Sequence, residues 1–102
     1  MSLREKQTEF ARALPVLIFK AFELGYEVTL GDCYRSPRAT FPYGSKSSRH
    51  TMRLAIDLNL FKDGVYLTSS AAHQELGEYW EELGGIHGGR WSDGNHYEWP
   101  LC

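Results

Sequence analysis

Leu54-Ala55-Ile56-Asp57-Leu58-Asn59-Leu60-Phe61 is the stretch whose alternation decides the fold. Successive side chains of an extended strand point to opposite faces, so Leu54, Ile56, Leu58 and Leu60 share one face and Ala55, Asp57, Asn59 and Phe61 the other. The first face can pack on a helix. The second carries the carboxylate of Asp57 away from the core. Asp63-Gly64 follows as a hairpin turn, and Val65-Tyr66-Leu67 returns as the next strand.

Upstream, Leu3 to Leu24 reads as a helix. Phe10, Leu14, Leu17, Ile18, Ala21 and Phe22 recur at helical spacing and form one apolar stripe. Pro15 falls inside it and predicts a kink or a break, and Gly25 is the stop signal. Tyr26 to Asp32 alternates, with Val28 and Leu30 in one phase, as a short strand does. Cys33 to Arg49, with Pro37, Pro42 and Gly44, is loop-like. It is too long for an ordinary connector, and long loops in small domains often carry function.

Downstream, Thr68-Ser69-Ser70 offers N-cap residues for a helix through about Leu83, with Leu76, Tyr79, Trp80 and Leu83 as its buried stripe. Gly84-Gly85 ends it. Gly88-Gly89-Arg90-Trp91 reads as a glycine-rich turn, and a last strand runs from about His96 to Trp99. This order predicts an α+β fold: one small antiparallel sheet with helices packed on one face and a metal site on the other. At 102 residues and without internal repeats, the chain is expected to form one domain, 1–102, and to act as a monomer.

The bulk numbers exclude several classes. Hydrophobic residues at 42% and aromatics at 14% suit a folded chain rather than a disordered one. A net charge of −2 disfavours a nucleic acid as partner, because duplexes demand many cationic phosphate contacts. Cys33 and Cys102 make no disulfide framework, which fits a reducing compartment. Cys33 reads as a small buried core residue rather than a soft metal ligand. The polar start, Met1 to Lys6, leads into no apolar signal-peptide core, and no membrane span is visible. Synthesis in the cytoplasm is the expectation.

Three side chains can hold a borderline metal ion: His50, Asp57 and His96. His50 lies at the edge of the long loop, which can fold it over Asp57. Two imidazoles and one carboxylate leave one position of a tetrahedral zinc ion open for water, the composition of a catalytic site rather than a closed structural one. Asp93 sits three residues before His96 and suits proton transfer, although Asp-Gly also suits a turn. Its rival as base is Glu98, two residues past His96 and so on the same strand face. His73, beside Ala71 and Ala72, reads as a surface residue. His87 reads as a loop histidine, with a spare-ligand or supporting role left open.

Ser48-x-His50-x6-Asp57 followed by an acid-x-x-His motif resembles the zinc D-alanyl-D-alanine carboxypeptidase and L-alanyl-D-glutamate peptidase family, to which small phage endolysins belong. Tyr34-Arg35-Ser36, Gly88-Gly89-Arg90-Trp91 and His96-Tyr97-Glu98 resemble further elements of that family, in the same order, so the likeness runs from about Phe10 to Trp99. The resemblance implies that His50, Asp57 and His96 hold Zn2+ with a water in the fourth place, and that Asp93 is the general base. It implies that Arg35 donates hydrogen bonds to the substrate carbonyl as it becomes an oxyanion. Ser48 would bind substrate or orient the His50 loop, and Trp91 would line the substrate cleft or act as a lid on the core. The implied activity is that of a metallopeptidase cutting peptidoglycan stem peptides at an L-alanyl-D-glutamate or D-Ala-D-Ala type bond. A wall substrate and a cytoplasmic chain together fit a phage product released at lysis.

Two departures bear on substrate choice more than on catalysis. Arg53 stands where the family commonly has glycine, and would be strained if that position needs a positive φ. Pro37-Arg38-Ala39-Thr40 lacks the family's downstream glutamine. Two other functions use the same residues: a non-catalytic, metal-stabilised module that binds cell-wall peptide, and a metal nuclease. The acidic charge and the missing basic stripe argue against the second.

Overall fold

In the computed structural model, which describes residues 1–36 and 48–101, the strand β2 (Ala55–Lys62) is the hub of the sheet. β1 (Glu27–Leu30) runs antiparallel along one edge of it, from Glu27 opposite Phe61 to Leu30 opposite Leu58. The other edge is shared. β5 (His96–Glu98) pairs with Ala55 to Asp57, and β3 (Val65–Leu67) pairs with Leu60 to Lys62 across the Asp63-Gly64 turn. β4 (Ile86–His87) closes the sheet beyond β5, giving the order β1-β2-β5-β4.

The helices α1 (Leu3–Glu23) and α2 (Gln74–Glu82) bury one face of this sheet. Phe10, Leu17 and Ala21 of α1 meet Leu54, Ile56, Leu58 and Leu60, with Leu76 and Trp80 of α2 and Tyr97 and Trp99 completing the core. The predicted α+β class, with helices on one face of an antiparallel sheet, is the observed one. Local chemistry fixes the ends of α1. Ser2 and Glu5 form a capping box, each side chain accepting from the other's backbone N–H at 3.1 and 3.0 Å. Gly25, at φ +92°, closes the helix with N–H bonds from Gly25 to Phe22 O and from Tyr26 to Ala21 O.

Several expectations change. Pro15 lies inside α1 without ending it. The second helix begins later than its cap: Ser69 Oγ accepts from Ala72 N–H, but Ser70–His73 is a 3-10 turn, and α2 starts at Gln74. The glycine-rich segment is also a 3-10 turn, Gly88–Trp91, and the short β4 precedes it. Cys33 is exposed and does not join the core. His73 is buried, not on the surface: the 3-10 turn rolls it inward, where its Nδ1 lies 2.7 Å from the Tyr97 hydroxyl. Arg53 does occupy a left-handed conformation, φ +58°, and its guanidinium lies 4.0 Å above the ring of Tyr34. That cation–π contact offsets part of the backbone cost. Pro37-Arg38-Ala39-Thr40, Pro42, Gly44 and Cys102 lie outside the described residues. Among the described residues, no helix is long and apolar enough to cross a membrane.

His73 makes folding sensitive to acid. Burial, with the nearby His87 adding to it, pushes its pKa down from 6.5 to about 4. Unfolded chains therefore take up a proton near pH 6.5 that folded chains refuse until about pH 4. Stability is full above that upper value and falls as pH drops toward the lower one, by on the order of 3 kcal/mol. Urea titrations across this window are expected to show a clearly shallower pH slope for His73→Gln than for the wild type. Equal slopes would contradict the assignment.

Candidate metal centre

The cross-strand register builds the site. Asp57 stands directly opposite His96 in the β2–β5 ladder, so both side chains leave the sheet on the face away from the helices. His50 arrives on a 3-10 turn, Arg49–Met52, that leads into β2. Ser48 caps this turn: its Oγ accepts from His50 N–H at 3.2 Å, and its carbonyl accepts from the N–H and hydroxyl of Thr51 at 3.0 and 2.6 Å. Ser48 thus contacts the turn that carries His50. Arg53 then turns the chain through its left-handed φ toward the strand.

The three donor atoms form a tight triangle. His50 Nε2 lies 3.2 Å from Asp57 Oδ1 and 3.2 Å from His96 Nδ1, and His96 Nδ1 lies 3.6 Å from Asp57 Oδ1. Zinc bonds of about 2.0–2.1 Å in tetrahedral geometry give donor–donor edges of about 3.3 Å. The triangle matches one face of such a tetrahedron.

The outer nitrogens show which way the lone pairs point. His50 Nδ1 is 2.9 Å from the carbonyl of Cys33, which can only accept, so Nδ1 carries the proton and Nε2 faces inward unprotonated. His96 Nε2 is 2.8 Å from Glu98 Oε1, so the proton sits there and Nδ1 faces inward. Three acceptors thus converge on one point, and only a positive charge between them relieves the repulsion. Without an ion, an inward-facing proton on an imidazole supplies that charge and is donated to Asp57. Burial works against the Asp57 carboxylate, yet hydrogen bonds and charge from His50 and His96 bring its pKa down to about 2. Burial also works against protonated His96, yet hydrogen bonds and charge from Asp57 and Glu98 bring its pKa up to about 9. Where no metal ion binds, a proton takes its place. The donor set fits a borderline divalent ion with one position left for water.

The two candidate bases occupy different sides of His96. Glu98 is committed to the outer nitrogen, and its second oxygen lies 3.6 Å from the buried Nε of Arg49, which has no hydrogen-bond partner among the described residues. Asp93 Oδ2 lies 3.9 Å from the inward nitrogen, and its side chain is half exposed. Trp91 is also half exposed, its ring 5.7 Å from that of His96, so it borders the site rather than covering the core. Arg35 reaches the site through its backbone, donating N–H to His50 O at 3.1 Å, while its guanidinium pairs with Asp32 at 3.1 Å. Sequence reasoning missed Arg49 and the orienting role of Glu98. The i, i+2 spacing of His96 and Glu98 was the available signal. The Cys33 carbonyl left none, since it acts through the backbone.

A family model described as D-alanyl-D-alanine carboxypeptidase matches residues 43–99, more than half of the chain. That span contains His50, Asp57, Asp93 and His96. No curated protein matches the chain.

Removing the carboxylate that orients His96 tests this geometry without deleting a donor. Glu98→Ala is expected to weaken zinc binding about 10- to 100-fold, and His96→Ala to weaken it far more. Competition with a chromophoric chelator reads both, and a Glu98→Ala affinity equal to wild type would contradict the orientation argument.

Proposed function

The chain belongs to the D-alanyl-D-alanine carboxypeptidase family, and from that premise we propose that it is a zinc-dependent peptidase of peptidoglycan stem peptides. The bond cut is of the L-alanyl-D-glutamate or D-Ala-D-Ala type, and the protein acts on the cell wall as a monomer released by phage lysis. The observation that carries the reading is the convergence of His50 Nε2, Asp57 Oδ1 and His96 Nδ1 at 3.2 to 3.6 Å, with the half-exposed carboxylate of Asp93 beside them.

A bound zinc ion supplies Lewis acidity and a water that ionises near neutral pH. The chain's own groups do the rest. Asp93, open to solvent and next to the inward face of His96, takes a proton from the attacking water and returns it to the leaving amine. Ser48 holds the His50 backbone N–H, the Cys33 carbonyl holds the His50 ring, and Glu98 holds that of His96. Trp91 offers an exposed aromatic face beside the donors for the peptide to lie against. Arg35 is the proposed oxyanion donor. Its partner Asp32 is largely exposed, and exposed ion pairs hold by only about 0–1 kcal/mol, so a substrate carbonyl can displace it.

A non-catalytic binding module would use the same donors but has no task for Asp93. The half-exposed carboxylate poised 3.9 Å from a donor nitrogen favours turnover.

Muropeptides incubated with zinc-loaded protein are expected to be cleaved, with cleavage abolished by chelator and the bond identified by peptide mass. Asp93→Asn is expected to keep its zinc and lose about 10²–10⁴ in kcat. Failure of folded, metal-loaded protein to cut any stem peptide would falsify the proposal.

A further inference from the structure

Gly94 joins the proposed base to a metal donor, and it is held on both sides. Its N–H donates to Ser70 Oγ at 3.0 Å, and its carbonyl lies 2.6 Å from His87 Nε2. A carbonyl only accepts, so Nε2 carries the proton. These bonds fix the peptide unit before Gly94 and the one after it. The neighbouring backbone is tied as well: Asp93 N–H to Gly88 O at 2.9 Å, His96 N–H to Asp93 O at 3.1 Å, and Leu58 N–H to Asn95 O at 2.8 Å. The fit around Gly94 is close, since a Cβ there would stand 2.4 Å from Ser70 Cα.

His87 sits in a slot shaped for its ring. A Cβ on Gly77 would fall 2.0 Å from His87 Nδ1, and one on Gly89 would fall 2.7 Å from Cε1. The ring of Tyr97 packs at 4.9 Å, and only 7% of His87 is exposed. An apolar ring would fill this slot without the cost of burying polar atoms. The polar ring gains one specific contact from its Nε2, and that contact is to the loop bearing Asp93.

We propose that His87, together with Ser70, is a positioning residue for the reaction: it clamps the Gly94 peptide and so sets where the Asp93 carboxylate stands relative to the His96 donor. The inference rests on the peptidase reading. It adds a clamp whose members touch neither metal nor substrate, running from the 3-10 turn before α2 and from β4 to the base.

Three variants test it. His87→Phe keeps the ring's bulk and loses the donor. It is expected to lower kcat about 10- to 100-fold at unchanged KM and zinc affinity, the scale of a misplacement of about 1 Å. His87→Gln presents an N–H to the same carbonyl and is expected to recover kcat to within about threefold of wild type. Ser70→Ala, which adds no bulk, is expected to lower kcat about threefold to tenfold, again at unchanged KM. Amide exchange in the metal-free protein gives a readout independent of turnover. The His96 amide should exchange faster in His87→Phe and Ser70→Ala, and near the wild-type rate in His87→Gln. Wild-type kcat and exchange in His87→Phe would overturn the clamp, as would a Gln variant as impaired as the Phe variant. Should His87→Phe not fold, Ser70→Ala decides: wild-type kcat and His96 exchange there overturn it. If the wild type cuts no stem peptide, the peptidase reading fails, and the exchange rates alone judge the clamp.

Discussion

The pairing of Asp57 with His96 across β2 and β5 is the constraint on which the rest of this molecule depends. Because side chains alternate along a strand, this one register assigns every neighbour. Ile56 and Tyr97 go to the core together, while Asp57, His96 and Glu98 go to the other face. A slip by one residue would send His96 into the apolar layer and Tyr97 out of it. Burial of Ile56, Leu58, Leu60 and Tyr97 against two helices therefore stabilises the fold and also holds two candidate metal donors in place. The hydrophobic effect supplies the force, and the sheet converts it into geometry.

Charge then selects what the site accepts. Each inward-facing nitrogen is turned toward the centre by an acceptor behind its ring, the Cys33 carbonyl for His50 and the Glu98 carboxylate for His96. Arg49 stands behind Glu98 and offsets its negative charge in a partly buried setting. Those back contacts hold lone pairs against one another, so the resting arrangement favours a cation. The opposite pKa displacements of Asp57 and His96 express this preference in protons. Asp93 stands near solvent and off the triangle, 3.9 Å from the inward nitrogen of His96.

Much of this was legible in the sequence because it follows from period and spacing. Alternation from Leu54 to Phe61 gave both the strand and the direction of Asp57, and Asp63-Gly64 gave the hairpin. The three donors were readable as residue types, but their convergence rests on the β2–β5 register and on the 3-10 turn that carries His50, which spacing does not supply. What stayed hidden depends on contacts distant in sequence. Cys33 looked like core by type, yet serves through its carbonyl while its side chain is exposed. His73 and His87 looked like surface and loop residues because both flank helical or glycine-rich text. Their burial is decided by Tyr97, whose hydroxyl one contacts and whose ring the other packs on. Arg53 was marked as strained if its φ were positive, and only coordinates supply that φ together with the Tyr34 ring that partners it.

The central claim is that two imidazoles and one carboxylate of this chain surround a single ion. X-ray absorption of stoichiometrically zinc-loaded protein tests it most directly. The account predicts a four-coordinate shell of nitrogen and oxygen at about 2.0–2.1 Å with the multiple-scattering pattern of two imidazoles. A shell containing sulfur, or one of six oxygens without imidazole scattering, would contradict it.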